Sequence, residues 1–241
     1  MFSEAQQVFK QIGNELGAAE CLQKLGDIHR MQDKYDEAIR MISDAQKQFE
    51  TFGNQLRAAE CLWGLGEIYK MQKKYDEATE MILKAQKQSE EIGDRYRVAE
   101  CLVTLGRIHM DQVQYDEAVD VLSMAQRQFQ NIGSIVDAAW CYQYLGTTYR
   151  YQGQYEKAKE AFTEALDHLK GFPGEKYKVG CTLLEFGYLS FDIKDFAEAR
   201  RKYEEARDIL FSHGQLGREV DECSEALAKL DEAEATESIS E

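Results

Sequence analysis

Shifted by forty residues, the sequence lies on top of itself: residues 14–53 and 54–93 are identical at 25 of 40 positions. A chain that repeats this closely folds as an array in which each unit rests on its neighbours, because one unit of that length cannot bury its own apolar face. Gly13, Gly53, Gly93 and Gly133 mark the period, and after one inserted residue near Gly171–Gly174 the beat resumes at Gly174 and Gly214. The expected division is a lone second helix at 1–13, full units at 14–53, 54–93, 94–133, 134–174 and 175–214, a capping helix at 215–232, and a disordered acidic tail at 233–241.

Within a unit, Leu16, Ala19, Leu22, Leu25 and Ile28 recur at three- and four-residue steps, the spacing that gathers apolar groups on one side of a helix. Tyr35, Ala38, Ile42, Ala45 and Phe49 form a second such stripe, and the polar break Gln32-Asp33-Lys34 between them is long enough only for an antiparallel hairpin. Each unit closes on a glycine followed by a side-chain acceptor, as in Gly53-Asn54, Gly93-Asp94 and Gly133-Ser134, so one helix is stopped and the next is capped. With one proline in 241 residues and abundant Ala, Glu, Lys, Gln and Leu, the class is all-α.

The details of the stripe resemble the tetratricopeptide-repeat (TPR) pattern. Leu22-x-x-Leu25-Gly26-x-x-His29 is followed by Tyr35, Ala38-x-x-x-Ile42 and Ala45, with Leu where that family usually has Trp. The match recurs over Leu62–Ala85, Leu102–Ala125 and Tyr142–Ala165, and with more departures over Leu183–Ala206. The closing proline is missing and the period is 40 rather than 34. That longer variety is similar to the arrays of spindle-orientation adaptors, kinesin light chains and, above all, the sensor regions of signal-transducing NTPases of the NB-ARC kind. The resemblance implies a right-handed α-solenoid of stacked antiparallel hairpins, the TPR superhelix. It also implies a non-catalytic scaffold that holds a protein or peptide in its concave groove, as the sensor or adaptor part of a larger signalling protein.

In that family four positions of each first helix line the groove, and the spacing i, i+3, i+7, i+10 does fall on one helix face. Carried onto this chain, they are Glu20, Gln23, Asp27 and Arg30; Glu60, Trp63, Glu67 and Lys70; Glu100, Val103, Arg107 and Met110. The fourth unit gives Trp140, Gln143, Thr147 and Arg150, with Tyr144 beside them, and the fifth gives Cys181, Leu184, Tyr188 and Phe191. The row runs from acidic and mixed to aromatic and apolar, so a partner with a basic end and an apolar end would match it. Trp63 and Trp140 stand outside the repeat framework and are the expected anchors, against the alternative that each merely packs on a neighbouring helix. The Asn and Lys of the carboxylate clamp found in some cochaperones are absent; those places read Lys24, Gly64, Thr104 and Tyr144, then Asp27, Glu67, Arg107 and Thr147.

Other functions are disfavoured by composition. A net charge of -15 without a cationic stripe argues against nucleic acid, and no apolar run is long enough to enter a membrane, so a cytoplasmic setting is expected. Cys21, Cys61, Cys101 and Cys141 recur at one helix position with no CxxC, which reads as buried thiols, and no metal or cofactor is expected. His29 and His109 fill the aromatic framework slot, while His168 and His213 fall near helix ends, so no catalytic set emerges. Residues 1–12 match the second helix of a unit whose first helix is missing, which reads as a fragment of a longer array. The alternative is a structural spacer or a head-to-tail module whose half-hairpin ends self-associate, the helix carrying Leu216, Val220, Cys223, Leu227 and Leu230 completing a neighbour.

Overall fold

A computed structural model of the chain describes residues 2–212 and 218–240. Among them are twelve helices and no strand: α1 (Phe2–Gln11), α2 (Glu15–Met31), α3 (Tyr35–Thr51), α4 (Gln55–Met71), α5 (Tyr75–Ile92), α6 (Arg95–Asp111), α7 (Tyr115–Asn131), α8 (Ile135–Tyr151), α9 (Tyr155–Leu169), α10 (Lys176–Asp192), α11 (Phe196–Ser212) and α12 (Arg218–Ser240). They form two compact units, Met1–Val113 and Gln114–Glu241, so the division falls inside the repeat expected at 94–133. In the first, α2 pairs with α3 and α4 with α5, while α4 also touches α2 and α6. In the second, α8 pairs with α9 and α10 with α11, with α10 touching α8 and α12. Each unit is thus a two-layer stack in which the first helices of successive hairpins lie side by side.

Small residues set the spacing of the layers. Ala19, Ala38, Ala45 and Ala58 are fully buried around Ile42 and Phe49 in the first unit, and Ala199 and Ala206 around Tyr203 and Leu210 in the second. A Cβ at Gly66 would stand 2.4 Å from Ile82 Cδ1, and one at Gly187 would stand 2.5 Å from Tyr203 Cδ1. The paired helices approach where side chain is absent, as the repeated Leu-Gly leads one to expect.

The helix ends follow the local code with two departures. Gly53 sits at φ 69°, a left-handed conformation that ends α3 with Gly53 N–H bonded to Glu50 O and Asn54 N–H to Phe49 O. The Asn54 and Asp94 side chains accept from the N–H of Arg57 and Arg97 at 3.2 and 3.0 Å. Ser134 does not cap in this way; its hydroxyl donates to Asp137 Oδ2 at 2.6 Å. Gly174 has no positive φ, and α9 stops at Leu169 before a loop that contains Pro173. Within hairpins the turn residue is left-handed, and it is glycine only at Gly153; Asp33, Lys73, Val113 and Lys194 adopt φ of 57–64° instead.

The acidic tail expected at 233–241 is helical as far as Ser240, in continuity with the capping helix expected to end at 232. Residues 231–236 contain no Gly or Pro, and Arg200 on α11 grips Asp231 and Glu234 at 2.5 and 2.7 Å, so nothing interrupts the helix. Cys223, Ala226 and Leu230 are the face that α12 buries. The expected landmarks at His213, Gly214 and Leu216 lie outside the described residues.

Candidate binding faces

In the first unit the side-by-side helices α2, α4 and α6 carry a continuous polar network. Arg57 Nη1 lies 2.7 Å from Glu60 on its own helix, and its other terminal nitrogen lies 4.0 Å from Glu20 on α2. One repeat on, Arg97 holds Glu100 at 2.7 Å and reaches Glu60 at 3.4 Å. The indole N–H of Trp63 donates to Thr104 Oγ1 at 3.2 Å, and the Arg97 guanidinium lies 5.1 Å above the indole ring. Thr104 donates in turn to Glu67 Oε1 at 2.8 Å, and Arg107 donates to both oxygens of that carboxylate at 3.3 Å. Lys70 lies 3.6 Å from Asp111. Burial, with Arg107 nearby, pulls the Lys70 pKa down, opposed by Glu67 and Asp111.

The second unit presents a more aromatic face from α8 and α10. Trp140 meets Tyr144 edge-on at 5.4 Å and Tyr177 at 6.5 Å. Arg150 lies 2.9 Å from Asp192 and 3.6 Å from Glu185, with its guanidinium 4.6 Å from the Tyr151 ring and 5.5 Å from the Tyr188 ring. Thr147 donates to Glu185 Oε2 at 3.2 Å and accepts from Gln143. Burial raises the Glu185 carboxyl pKa, against the pull of Arg150 and Thr147. Tyr188 packs edge-on against Tyr203 at 5.5 Å, and Phe191 lies 5.6 Å from Phe196.

The residues read from the sequence therefore fall on these faces with unequal exposure. Glu20 is exposed, and Asp27, Arg30, Glu60, Trp63, Lys70, Glu100, Val103, Arg107, Met110, Trp140, Tyr144, Arg150 and Tyr188 are half-buried. Gln23, Glu67, Gln143, Thr147 and Leu184 are buried, because the neighbouring first helix covers positions that a single helical wheel leaves open. Gln23 Oε1 and Gln143 Oε1, at the same repeat position in the two units, are buried without a hydrogen-bond partner. Trp63 packs on the neighbouring first helix, where its N–H is used by α6, and its ring is half-buried. The four-position pattern passed over Arg57, Arg97, Thr104, Tyr177 and Glu185; the recurring Arg-x-x-Glu at 57–60 and 97–100 was the signal for the first two.

The cysteines belong to packing. All six are free, and five are buried, Cys181 being the half-buried one. Burial pushes the thiols of Cys61, Cys101 and Cys181 up to about 12 and that of Cys223 to about 11. Among the described residues no group of three His, Cys, Asp or Glu is placed to hold a metal, and no helix is long and apolar enough to cross a membrane.

Stacked helical hairpins with side-by-side first helices define a TPR-like helical-repeat protein. Residues 40–213 match the family model described as soluble NSF attachment protein, SNAP, and the chain belongs to that family. No curated protein matches the sequence. Among solved structures, BtubC from P. vanneervenii is similar at a TM-score of 0.73 and 18% identity, over 90% of this chain and 89% of that one. NprR in complex with its cognate peptide NprX gives 0.73 and 14%, over 95% and 67%. A signal-transduction ATPase with numerous domains and a tetratricopeptide repeat sensor, from Pyrococcus horikoshii, gives 0.65 and 17%, over 98% of this chain and 41% of that one. At such identities the likeness establishes the fold.

Proposed function

We propose that the chain is a non-catalytic scaffold that takes up a peptide segment of another protein on its first-helix faces, as the sensor or adaptor part of a larger signalling protein. The observation that carries this is Trp63. A half-buried indole, held at its N–H by Thr104 and over its ring by the Arg97 guanidinium, has little freedom left to lose when a partner packs on it, the condition under which an aromatic side chain becomes an anchor. Trp140, braced by Tyr144 and Tyr177, offers the same on the second unit. The fold is shared with NprR, whose structure holds its cognate peptide, and that supports peptide as the ligand class.

The residues committed to contact are Glu20, Asp27, Glu60, Trp63 and Val103 on the first unit, and Trp140, Tyr144 and Tyr188 on the second. On the first unit a basic segment would face Glu20 and Asp27; Glu20 lies 4.0 Å from Arg57, and Asp27 lies 3.5 Å from the exposed Lys24. On the second unit, taken by itself, an apolar segment would face Trp140 and Tyr188. The thiols and histidines support the non-catalytic reading, since burial disfavours the reactive thiolates and His168 is stacked on Tyr142 at 5.6 Å. Six free cysteines suit a reducing, cytoplasmic setting.

The test is selection of binding peptides from a displayed library on the whole chain, followed by calorimetry. Trp63→Ala should weaken the selected peptide by about thirtyfold, the loss typical of an aromatic anchor. An unchanged affinity, with the fold intact by circular dichroism, would remove the first-unit face as the site. Head-to-tail self-association rests on Val8 and Ile12 of the first unit, which are 53% and 68% exposed. The described part of α12 exposes no large apolar side chain to receive them, so light scattering on a dilution series should show a constant mass.

A further inference from the structure

The repeat lapses once, and a cleft opens where it does. α9 is two residues shorter than α3, and the loop that follows carries the only proline of the chain. Between the end of α9, that loop, α10 and α11, all within the second unit, lies a cleft of about 530 Å³. Its volume is that of a small-molecule site. Leu166, Val179, Leu183 and Phe186 supply apolar wall, and the walls are mostly hydrocarbon.

Its charge runs against that of the molecule. Four cations line it, Lys170, Lys176, Arg201 and Lys202, against the two carboxylates Asp167 and Glu205, in a chain whose net charge is -15. Lys202 is the telling one. It is 8% exposed, its ammonium lies 4.5 Å from the centre of the Phe186 ring, and its carboxylate contact, Glu198 at 3.7 Å, is already chelated by Arg201 at 2.8 and 2.6 Å. A buried cation sharing an occupied carboxylate is under-neutralised, and an entering anion would relieve it. Burial correspondingly lowers the Lys202 pKa.

We propose that this cleft binds a small amphipathic monocarboxylate of the medium-chain fatty acid class, with the carboxylate on Lys202 and the hydrocarbon along Val179, Leu183 and Phe186. The apolar walls exclude a sugar or a nucleotide. Of the four cations on the lining only Lys202 is buried, and Lys170 is already paired with Asp167 at 2.5 Å, so the cleft offers one desolvated positive charge and fits a single charge at the head. The site is separate from the first-helix faces, and nothing in the peptide reading depends on it.

The experiment is titration calorimetry on the whole chain with decanoate, decanol and decanedioate, at concentrations that leave each probe monomeric. Decanoate should bind one to one, and both the neutral alcohol and the dianion should bind about tenfold more weakly or worse. Lys202→Met, which keeps the stem and removes the charge, should lower decanoate affinity about tenfold with an unchanged melting temperature. Val179→Trp, which fills the cleft, should abolish binding and decides the matter if the Lys202 variant does not fold. Equal binding of acid and alcohol, decanoate binding unaffected by either variant, or no heat up to millimolar decanoate would each overturn the proposal.

Discussion

The two units use one polar device in opposite directions. In the first, Thr104 and Arg107 on α6 reach back to Glu67 on the preceding first helix; in the second, Thr147 and Arg150 on α8 reach forward to Glu185 on the following one. Repeat by repeat, Thr104 aligns with Tyr144 and Arg107 with Thr147, so the Thr-x-x-Arg pair has also moved by one helical turn. The device therefore belongs to no fixed repeat position. It needs only two donors one turn apart and a carboxylate on whichever first helix lies alongside. Variation at these positions has a double use, part of it joining helices and part left over for a partner, and identity between repeats cannot separate the two.

The sharpest way to break the parallel is through the glycines that both units share. Gly187→Ala should cost about 3 kcal/mol and Gly66→Ala about 2 kcal/mol in urea denaturation, because the new methyl meets a rigid, buried Tyr203 ring in one and an Ile82 side chain able to change rotamer in the other. Equal losses would mean that the backbones part rather than the side chains. Next, Glu67→Ala should cost about 2 kcal/mol, since the buried Thr104 hydroxyl loses its acceptor and Arg107 loses its bonds to both carboxylate oxygens, whereas Glu185→Gln should cost about half that. The second carboxyl is already disfavoured by burial in its ionised form, and the amide can still accept from Thr147.

A third test concerns what the units have in common. A thiol held near 12 in the fold and at its ordinary 9.0 when unfolded stays protonated in the fold while the unfolded chain ionises. The fold then binds more protons, so its stability is undiminished below pH 9 and falls as pH rises through the window up to about 12. Each such thiol contributes a slope of about 1.4 kcal/mol per pH unit in that window. Urea midpoints from neutral to pH 11 should decline accordingly, and Cys61→Ala should flatten the decline by one proton. The smallest effect compares two hairpin turns. Val113 and Gly153 occupy the same left-handed place at φ 64° and 71°, and Val113→Gly should stabilise the protein by about 1 kcal/mol or less, visible as a rise in melting temperature. No gain would mean that the freedom added to the unfolded chain offsets the strain removed.

How far the fold could be read from the sequence follows from which interactions are local. The hairpins, their caps at Asn54 and Asp94 and the packing glycines all depend on residues within one period, and each was visible there. The left-handed Asp33 and Lys73 were not, because polar residues at a turn do not announce a positive φ. Ser134 was misread as a cap because Asp137, three residues on, takes its hydroxyl. The tail was misread because the grip of Arg200 on Asp231 and Glu234 spans some thirty residues. On the first helices the burial of Gln23, Glu67 and Gln143 was not legible, for burial is decided by the neighbouring helix.

The row of thiols, one to each first helix from Cys21 to Cys181 with Cys223 on the last helix, is also a set of clocks. The five buried ones cannot react until the helices around them part, while the half-buried Cys181 supplies an early reference, and each is carried on a peptide of different mass. Alkylation followed over time would therefore time the opening around each buried thiol separately, in the native protein and without a single introduced label. The order in which the six masses appear would tell where along the chain the array begins to come apart.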